Sequence, residues 1–466
     1  MSDKYTPGPA KDRNANRTTL PKQTAFQEYI GQNWADHKEA RPPLRESAKY
    51  AAARRHELST KFAGERLVFE AGPMQVRSND TYYQYRAHSD FAYLTGWGSD
   101  SEPEAVLVME PTPNGHAATL YFRAPAGRDT DEFYANADIG EFWVGRRPSL
   151  AHVSAELGMP VRDLSELEAA LTTAVTTRTT PGDEDLSREV SEMRLVKDAF
   201  EIRQMQIAIE ATKRGFSDIA RVLPMIVGNP RGERIIEGAF SSRARLEGNG
   251  VGYETIAAAG PHACILHWIK NDGTVGKDDL VLIDAGVELD SYYTADITRT
   301  LPASGKFTPI QRKVYEAVRE AADAAFAVIK PGITFHEVHD AAMKVIAAKV
   351  AEWGMIPVTA EQSLEADAQH HRRYMVHGTS HHLGIDVHDC AAARREMYRD
   401  GIVAEGMVFT VEPGLYFQPD DLTVPKEFRG IGVRIEDDIV VTKDGAINLS
   451  AGIPRTADEV EEWLKN

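Results

Sequence analysis

Cysteine is nearly absent: Cys264 and Cys390 are the only two in 466 residues, and neither stands in a CxxC pair. A disulfide scaffold and a zinc-finger module are both excluded by that count, and a reducing compartment fits it. No apolar run approaches the length that spans a bilayer. The polar start, MSDKYTPGPAKDRNANRTTLPKQT, lacks an apolar signal core, so a cytoplasmic chain without membrane attachment is expected. Positive charge is also short, with 53 Lys and Arg against 70 Asp and Glu and a formal net charge of −17. A phosphate backbone would be repelled, which disfavours nucleic acid as a partner. Neither a phosphate loop of the form GxxxxGK[ST] nor a GxSxG nucleophile elbow occurs.

What remains is a soluble composition, 42% hydrophobic and 26% charged, in a chain long enough for two sizeable cores. Residues 1–44 read as an irregular extension rich in Pro, Asn, Lys and Thr. Residues 45–185 alternate strands (Arg66–Phe69, Ala105–Met109, Ala118–Phe122) with helices (from Glu46; Asp163–Leu171) and are expected to form an α/β domain. Polar residues near Thr179 interrupt the pattern. From 186 to 466 the order is helix, helix, strands, twice over: Lys197–Leu223 and Glu233–Glu247 before Thr255–Ala259 and the strands carrying Asp284 and Asp296; then Pro309–Ile329 and Phe335–Trp353 before Leu383–His388, Val408–Glu412 and Val433–Val441. The polar stretch Glu361–Arg373 reads as a solvated loop.

Within that second part, carboxylates stand where they should not. Leu280-Val-Leu-Ile runs straight into Asp284, and Asp296 lies between Ala295 and Ile297. Glu412 ends the apolar run Val408-Phe-Thr-Val before a Pro-Gly turn, and Glu436 follows Ile435. Arg434, Glu436 and Asp438 share one face by period-two alternation. The segment His377-Gly-Thr-Ser-His381-His382-Leu-Gly-Ile-Asp-Val-His388 packs four imidazoles between glycines, and His267 ends the run Ile265-Leu. If the four carboxylates converge, each close pair repels by about 4 kcal/mol at an effective dielectric near 20. Two divalent cations would match that charge. Oxygen ligands with one imidazole suit Mn²⁺, Co²⁺, Zn²⁺ or Fe²⁺, and the reaction class indicated is metal-assisted hydrolysis.

In the order DAG with DITRT, HGTSHHLGIDVHD, TVEPGLY and RIEDD, these motifs resemble the pita-bread metallopeptidases, and within them the aminopeptidase P (Xaa-Pro aminopeptidase) family. The resemblance runs over roughly residues 45–455. It includes Tyr85-Arg-Ala-His-Ser-Asp-Phe-Ala-Tyr-Leu-Thr-Gly96 in the smaller domain. It implies an N-terminal α/β domain followed by a pseudo-twofold pita-bread catalytic domain. It also implies two divalent metals, Mn²⁺ first among them, held by Asp284, Asp296, His381, Glu412 and Glu436, with Asp296 and Glu436 bridging. Glu412 would also be the general base toward a metal-bridging hydroxide. His388 and His267 would contact substrate, His377 would line the proline pocket, and Arg434 would orient ligand carboxylates. The implied substrates are peptides beginning Xaa-Pro, and the implied assembly is a homodimer or homotetramer. An Xaa-Pro dipeptidase (prolidase) shares the motifs. A catalytically inactive binding module on the same fold would be expected to lose ligands that this chain keeps. One departure stands inside the site: Asp284 and Asp296 are separated by one residue more than is usual in the family, and the turn between their strands, or a bulge, is its expected place.

Overall fold

The computed structural model describes residues 20–21, 23–35 and 37–465. Two compact units divide the chain, Met1–Ser187 and Arg188–Asn466. Of the irregular extension expected at residues 1–44, residues 1–19, 22 and 36 lie outside the described residues. Where it is described, Thr24–Ile30 is helical, a departure from that expectation.

The first unit is built on a five-stranded mixed sheet of β1 (Arg66–Glu70), β2 (Val106–Thr112), β3 (Gly115–Phe122), β4 (Val161–Asp163) and β5 (Thr177–Thr180), in the order β4-β3-β2-β1-β5. The pairs β1/β2 and β2/β3 are antiparallel, whereas β5 and β4 join the two edges in parallel. The α/β expectation holds. Helix Ser89–Thr95 ends at Gly96 with φ 70°, a left-handed cap that a side chain would strain. A Cβ there would also meet Ser47 Oγ at 2.9 Å, so glycine lets helix Glu46–Ser59 pack against this turn.

The second unit repeats one order twice. Helices α1 (Ala199–Ile226) and α2 (Gly232–Glu247) precede β6 (Ile256–Ala259), β7 (Leu280–Ala285) and β8 (Ile297–Pro302), which form an antiparallel sheet with β7 at its centre. Helices α3 (Pro309–Val328) and α4 (His336–Glu352) precede β9 (Val408–Val411), β10 (Gly414–Tyr416), β11 (Gly432–Arg434), β12 (Asp437–Thr442) and β13 (Gly445–Asn448). Here β12 is central between β9 and β13, and β10 pairs with β11. Local signals start the helices. Asp198 and Glu201 close a capping box on α1, and Thr308 and Gln311 do so on α3 with Pro309 in its first turn. Each helix pair packs on itself; Gly215 of α1 leaves room for Phe240 of α2, which a Cβ would meet at 2.6 Å. One apolar core runs through both halves, from Phe216, Phe240 and Ile283 to Val314, Ile346, Phe409 and Val441.

Three expectations are corrected. Leu383–His388 is not a strand: its alternating apolar residues read as one, but only His382 bridges Phe409, and the chain then turns through bends. There Gly384 O accepts from Thr294 N (3.1 Å) and Asp389 N donates back to His382 O (2.9 Å). Val433–Val441 is not continuous, because Ile435 and Glu436 leave the ladder and their amides donate to Pro413 O and Thr298 O instead. Nor is Glu361–Arg373 simply solvated. Residues Ala360–Leu364 and His370–Arg373 are helical turns, and His371 is buried with Nδ1 2.9 Å from Ser363 Oγ.

Candidate metal centre and substrate cavity

The hairpin β7–β8 sets the first two carboxylates. Its register runs unbroken from Leu280↔Pro302 to Ala285↔Ile297 and continues to Glu288↔Thr294. Asp284 lies opposite Thr298, so Asp284, Thr298 and Asp296 share one face. The additional residue between the aspartates therefore falls in the end loop, 289–293, where Tyr292 takes φ 69°. It leaves the site's register untouched.

The second half supplies the rest. The chain at 379–381 runs beside β9: Thr410 N donates to His381 O (3.0 Å) and Glu412 N to Thr379 O (2.8 Å). His381 and Glu412 are thereby set side by side, with His381 Nε2 3.5 Å from Glu412 Oε1 and 3.2 Å from Asp296 Oδ2. His381 Nδ1 lies 3.1 Å from His382 O, which accepts the Nδ1 proton and aims Nε2 at the carboxylates. Although the ladder breaks before it, Glu436 keeps the face of Arg434. Arg434 Nη2 donates to Asp284 Oδ2 (2.6 Å) and its Nε to Thr298 Oγ1 (3.1 Å), while Thr298 Oγ1 donates to Glu436 Oε2 (2.6 Å). One guanidinium thus holds Asp284 directly and Glu436 through a hydroxyl.

The nine residues given site roles line one cavity of about 530 Å³: His267, Asp284, Asp296, His377, His381, His388, Glu412, Arg434 and Glu436. Ligand atoms of Asp296, His381 and Glu436 lie within 4.8 Å of one another. Asp284 and Glu412 flank that triad. His388 sets its ring edge-on to His381 at 4.4 Å, and both His388 and His267 are exposed to the cavity. His377 Nδ1 meets Gly378 O at 2.6 Å, leaving Nε2 to accept from Tyr416 Oη at 2.7 Å. Tyr416 in turn accepts from Arg434 Nη1 (3.1 Å). The fourth imidazole, His382, turns into the core and stacks on Phe335.

Tyr253 escaped the sequence reading. Its Oη lies 2.7 Å from Asp284 Oδ1 and in contact with Asp296 Oδ1. The residue sits in a short link before β6 and touches carboxylates 31 and 43 positions later, so no local pattern marks it. Asp438 was noted only for its face; its Oδ2 accepts the backbone N–H of Asp296 (3.1 Å).

Electrostatics tests whether cations fit. Burial, followed by repulsion from neighbouring carboxylates, pushes Glu436 well above the usual range, and Asp296 is likewise raised. Burial pushes Glu412 up to about 7. For His381, burial alone would lower the pKa, but Asp296 and Glu412 outweigh it and hold it at about 9. Burial, followed by Asp284, Asp296 and Glu436, pushes Tyr253 well above 10, so its hydroxyl stays a donor. A set of oxygen donors that repel one another, with one imidazole aimed among them, fits divalent cations.

Fold and donor set define the class of metal-dependent hydrolases. The chain belongs to metallopeptidase family M24, which residues 203–443 match, and within it to the aminopeptidase P group, whose N-terminal domain residues 51–180 match. Xaa-Pro aminopeptidase 1 of Streptomyces coelicolor is 50% identical over 94% of this chain and 91% of its own length. Among solved structures, Escherichia coli aminopeptidase P with the inhibitor Pro-Leu has a TM-score of 0.80 at 30% identity, covering 91% of this chain and 99% of that one. Zinc-substituted E. coli aminopeptidase P in complex with product has a TM-score of 0.78 at 31% identity, over 91% and 99%.

Proposed function

We propose that this chain releases the N-terminal residue from peptides with proline at the second position, using two divalent cations held by Asp284, Asp296, His381, Glu412 and Glu436. The observation that carries the reading is the convergence of these five side chains on one cavity, with burial raising three of the carboxyls. Divalent cations there supply a Lewis acid for the scissile carbonyl and lower the pKa of water. Mn²⁺ is the first choice, and zinc can enter a relative's site.

The chain's own groups handle protons and geometry. A proline nitrogen carries no hydrogen in the peptide and leaves as a secondary amine only if a proton reaches it. Glu412, at the cavity beside His381, is assigned as the base that takes a proton from the attacking water and passes it to that nitrogen. His267 and His388 expose their rings to the cavity and are assigned to the substrate around the scissile bond. His377, with burial lowering its pKa to about 3, is a neutral wall for the proline ring, its orientation set by Gly378 O and Tyr416. Arg434 keeps Asp284 and Glu436 in place, and Tyr253 holds the two aspartates.

A metal-dependent assay comparing Gly-Pro with Gly-Pro-Yaa peptides tests the reading. Turnover of the tripeptide that is lost on chelation and in Glu412→Gln is expected. Activity confined to the dipeptide would make the chain a prolidase. Equal inertness of wild type and variant with metal added would make it a binding module. A homodimer or homotetramer working in the cytoplasm completes the proposal, and a monodisperse monomer in sedimentation would overturn the assembly. Among the described residues no helix is long and apolar enough to cross a membrane.

A further inference from the structure

Glu233, in the first turn of α2, is fully buried and faces no lysine or arginine in ion-pair range among the described residues. Four donors surround its carboxylate instead. Oε1 accepts from Ala259 N (2.8 Å) and His262 Nδ1 (2.8 Å), and Oε2 from Trp268 Nε1 (2.8 Å) and Gly273 N (2.6 Å). Four donors fill the four lone-pair directions of a carboxylate. Gly273 is required at this approach, because a Cβ would meet the Glu233 carboxyl at 2.7 Å.

The four donors are not scattered. They lie at the start, within, and at the end of one irregular stretch, residues 259–273, that leaves β6 and returns to β7. This stretch presents Leu266, His267 and Ile269 to the cavity. Its short backbone bonds, Ile265 N to His262 O and Ile269 N to His267 O, are local and cannot orient it against the rest of the unit. Other ties act on either side of Trp268: Gln418 Nε2 donates to Cys264 O (2.8 Å), Arg234 Nη2 to Lys270 O (3.2 Å), and Asn271 bonds Thr255 O and Ala257 N. Between those ties, the ring of Trp268 is fixed by its N–H on Glu233 and by stacking on His262 at 3.8 Å. His267 is the residue next to it.

We propose that Glu233 is a positioning residue for His267: it clamps the 259–273 loop so that the His267 imidazole stays at the cavity wall during turnover. The inference rests on the reading that His267 meets the substrate. Because an ångström-scale misplacement of a substrate-contacting group costs on the order of 100-fold in rate, the loss of Glu233 should be felt in kcat although no atom of Glu233 lines the cavity.

A double-mutant cycle tests it. Glu233→Gln keeps the volume but turns an N–H pair toward donors. It is expected to lower kcat for a Gly-Pro-Yaa peptide by roughly 10- to 100-fold, with bound metal unchanged. His267→Ala is expected to lower it comparably, and adding Glu233→Gln to His267→Ala should change kcat by less than about threefold. A general loss of folded enzyme would instead multiply the two effects, and a multiplicative result overturns the inference while leaving His267 in its role. If His267→Ala alone leaves turnover intact, the role given to His267 falls and the inference with it. Should Glu233→Gln show no cooperative melt, Trp268→Phe takes its place in the cycle. It removes one of the four donors and keeps an aromatic ring against His262; the same absorption of its effect by His267→Ala is expected.

Discussion

The buried acids of the second unit differ in what meets their charge. Asp389 is fully buried, yet Arg194 and Lys197 contact it, Lys197 Nζ at 2.7 Å. Burial alone would raise its pKa, but the two cations win and hold it far below the usual carboxylate range. Asp437 behaves alike, with Arg299 and Arg455 each 2.7 Å away. Asp296 and Glu436 are as deeply buried, and their values go up. The contrast is sharpest where Glu436 and Asp437 are adjacent: one faces the cavity, the next faces Arg299. Asp389 and Asp437 bring their own cations from the chain, whereas Glu233 is met by four N–H donors instead. Among the described residues, Arg434 is the one guanidinium or ammonium group in direct contact with the four cavity carboxylates, and together with the charged His381 it leaves them short of positive charge. That shortage is the charge that divalent cations would supply.

The comparison can be pressed experimentally. Removing charge at the cavity should damage chemistry first: Glu412→Gln is expected to lower kcat by roughly 10²- to 10⁴-fold with the melting temperature nearly unchanged, as peptide turnover beside a thermal melt would report. Removing a cation from a structural acid should do the reverse. Lys197→Met leaves Asp389 half-paired in the interior and is expected to cost about 3–5 kcal/mol in urea unfolding. An unchanged midpoint would erase the distinction.

Asp296→Asn should abolish metal-dependent turnover and yet stabilise the metal-free protein, by on the order of 1–2 kcal/mol, because it relieves carboxylate repulsion that His381 and Arg434 offset only in part. The same logic fixes a pH dependence. In the metal-free protein Asp296, Glu412 and Glu436 bind protons more tightly folded than unfolded, so their contribution to stability grows as pH falls from about 7, the value for Glu412, toward about 4.5. Asp389 and Asp437 have depressed values, so their contribution is full above about 4 and is lost below it. Denaturation of chelated and metal-loaded protein across pH 4–8 should therefore converge toward the acid end of that window. Smallest of all is Arg373–Asp421, 2.7 Å apart, where the Arg373 side chain is more than half exposed and Thr423 also bonds the carboxylate; Arg373→Ala should change stability by no more than about 1 kcal/mol.

Helices and ladders were legible because their signals are local: capping residues, 3.6-residue spacing, and apolar runs ending in Asp284 or Glu412. The cavity residues were legible because an acid in an apolar strand is anomalous wherever it occurs. Other features depended on distance. Tyr253 and Glu233 act on partners 26 to 43 positions away and carry no mark in their own neighbourhood. Leu383–His388 has the alternation of a strand, yet its backbone groups are taken up by a bend that Gly384 permits. His371 looked solvated amid charge, and one serine hydroxyl, Ser363 Oγ, drew it inside.

The break at Ile435–Glu436 has a consequence for folding. Where the strand leaves its own ladder, Glu436 N donates to Thr298 O, Arg434 N and O bond Thr300 Oγ1, and Arg299 reaches Glu436 O and Asp437. The two halves are laced together through the same few residues that carry the acids. Neither half can be lost while the other keeps its hydrogen bonds, so amide exchange at Glu436 should report global opening, and the unit should melt as one cooperative block rather than as two lobes in succession.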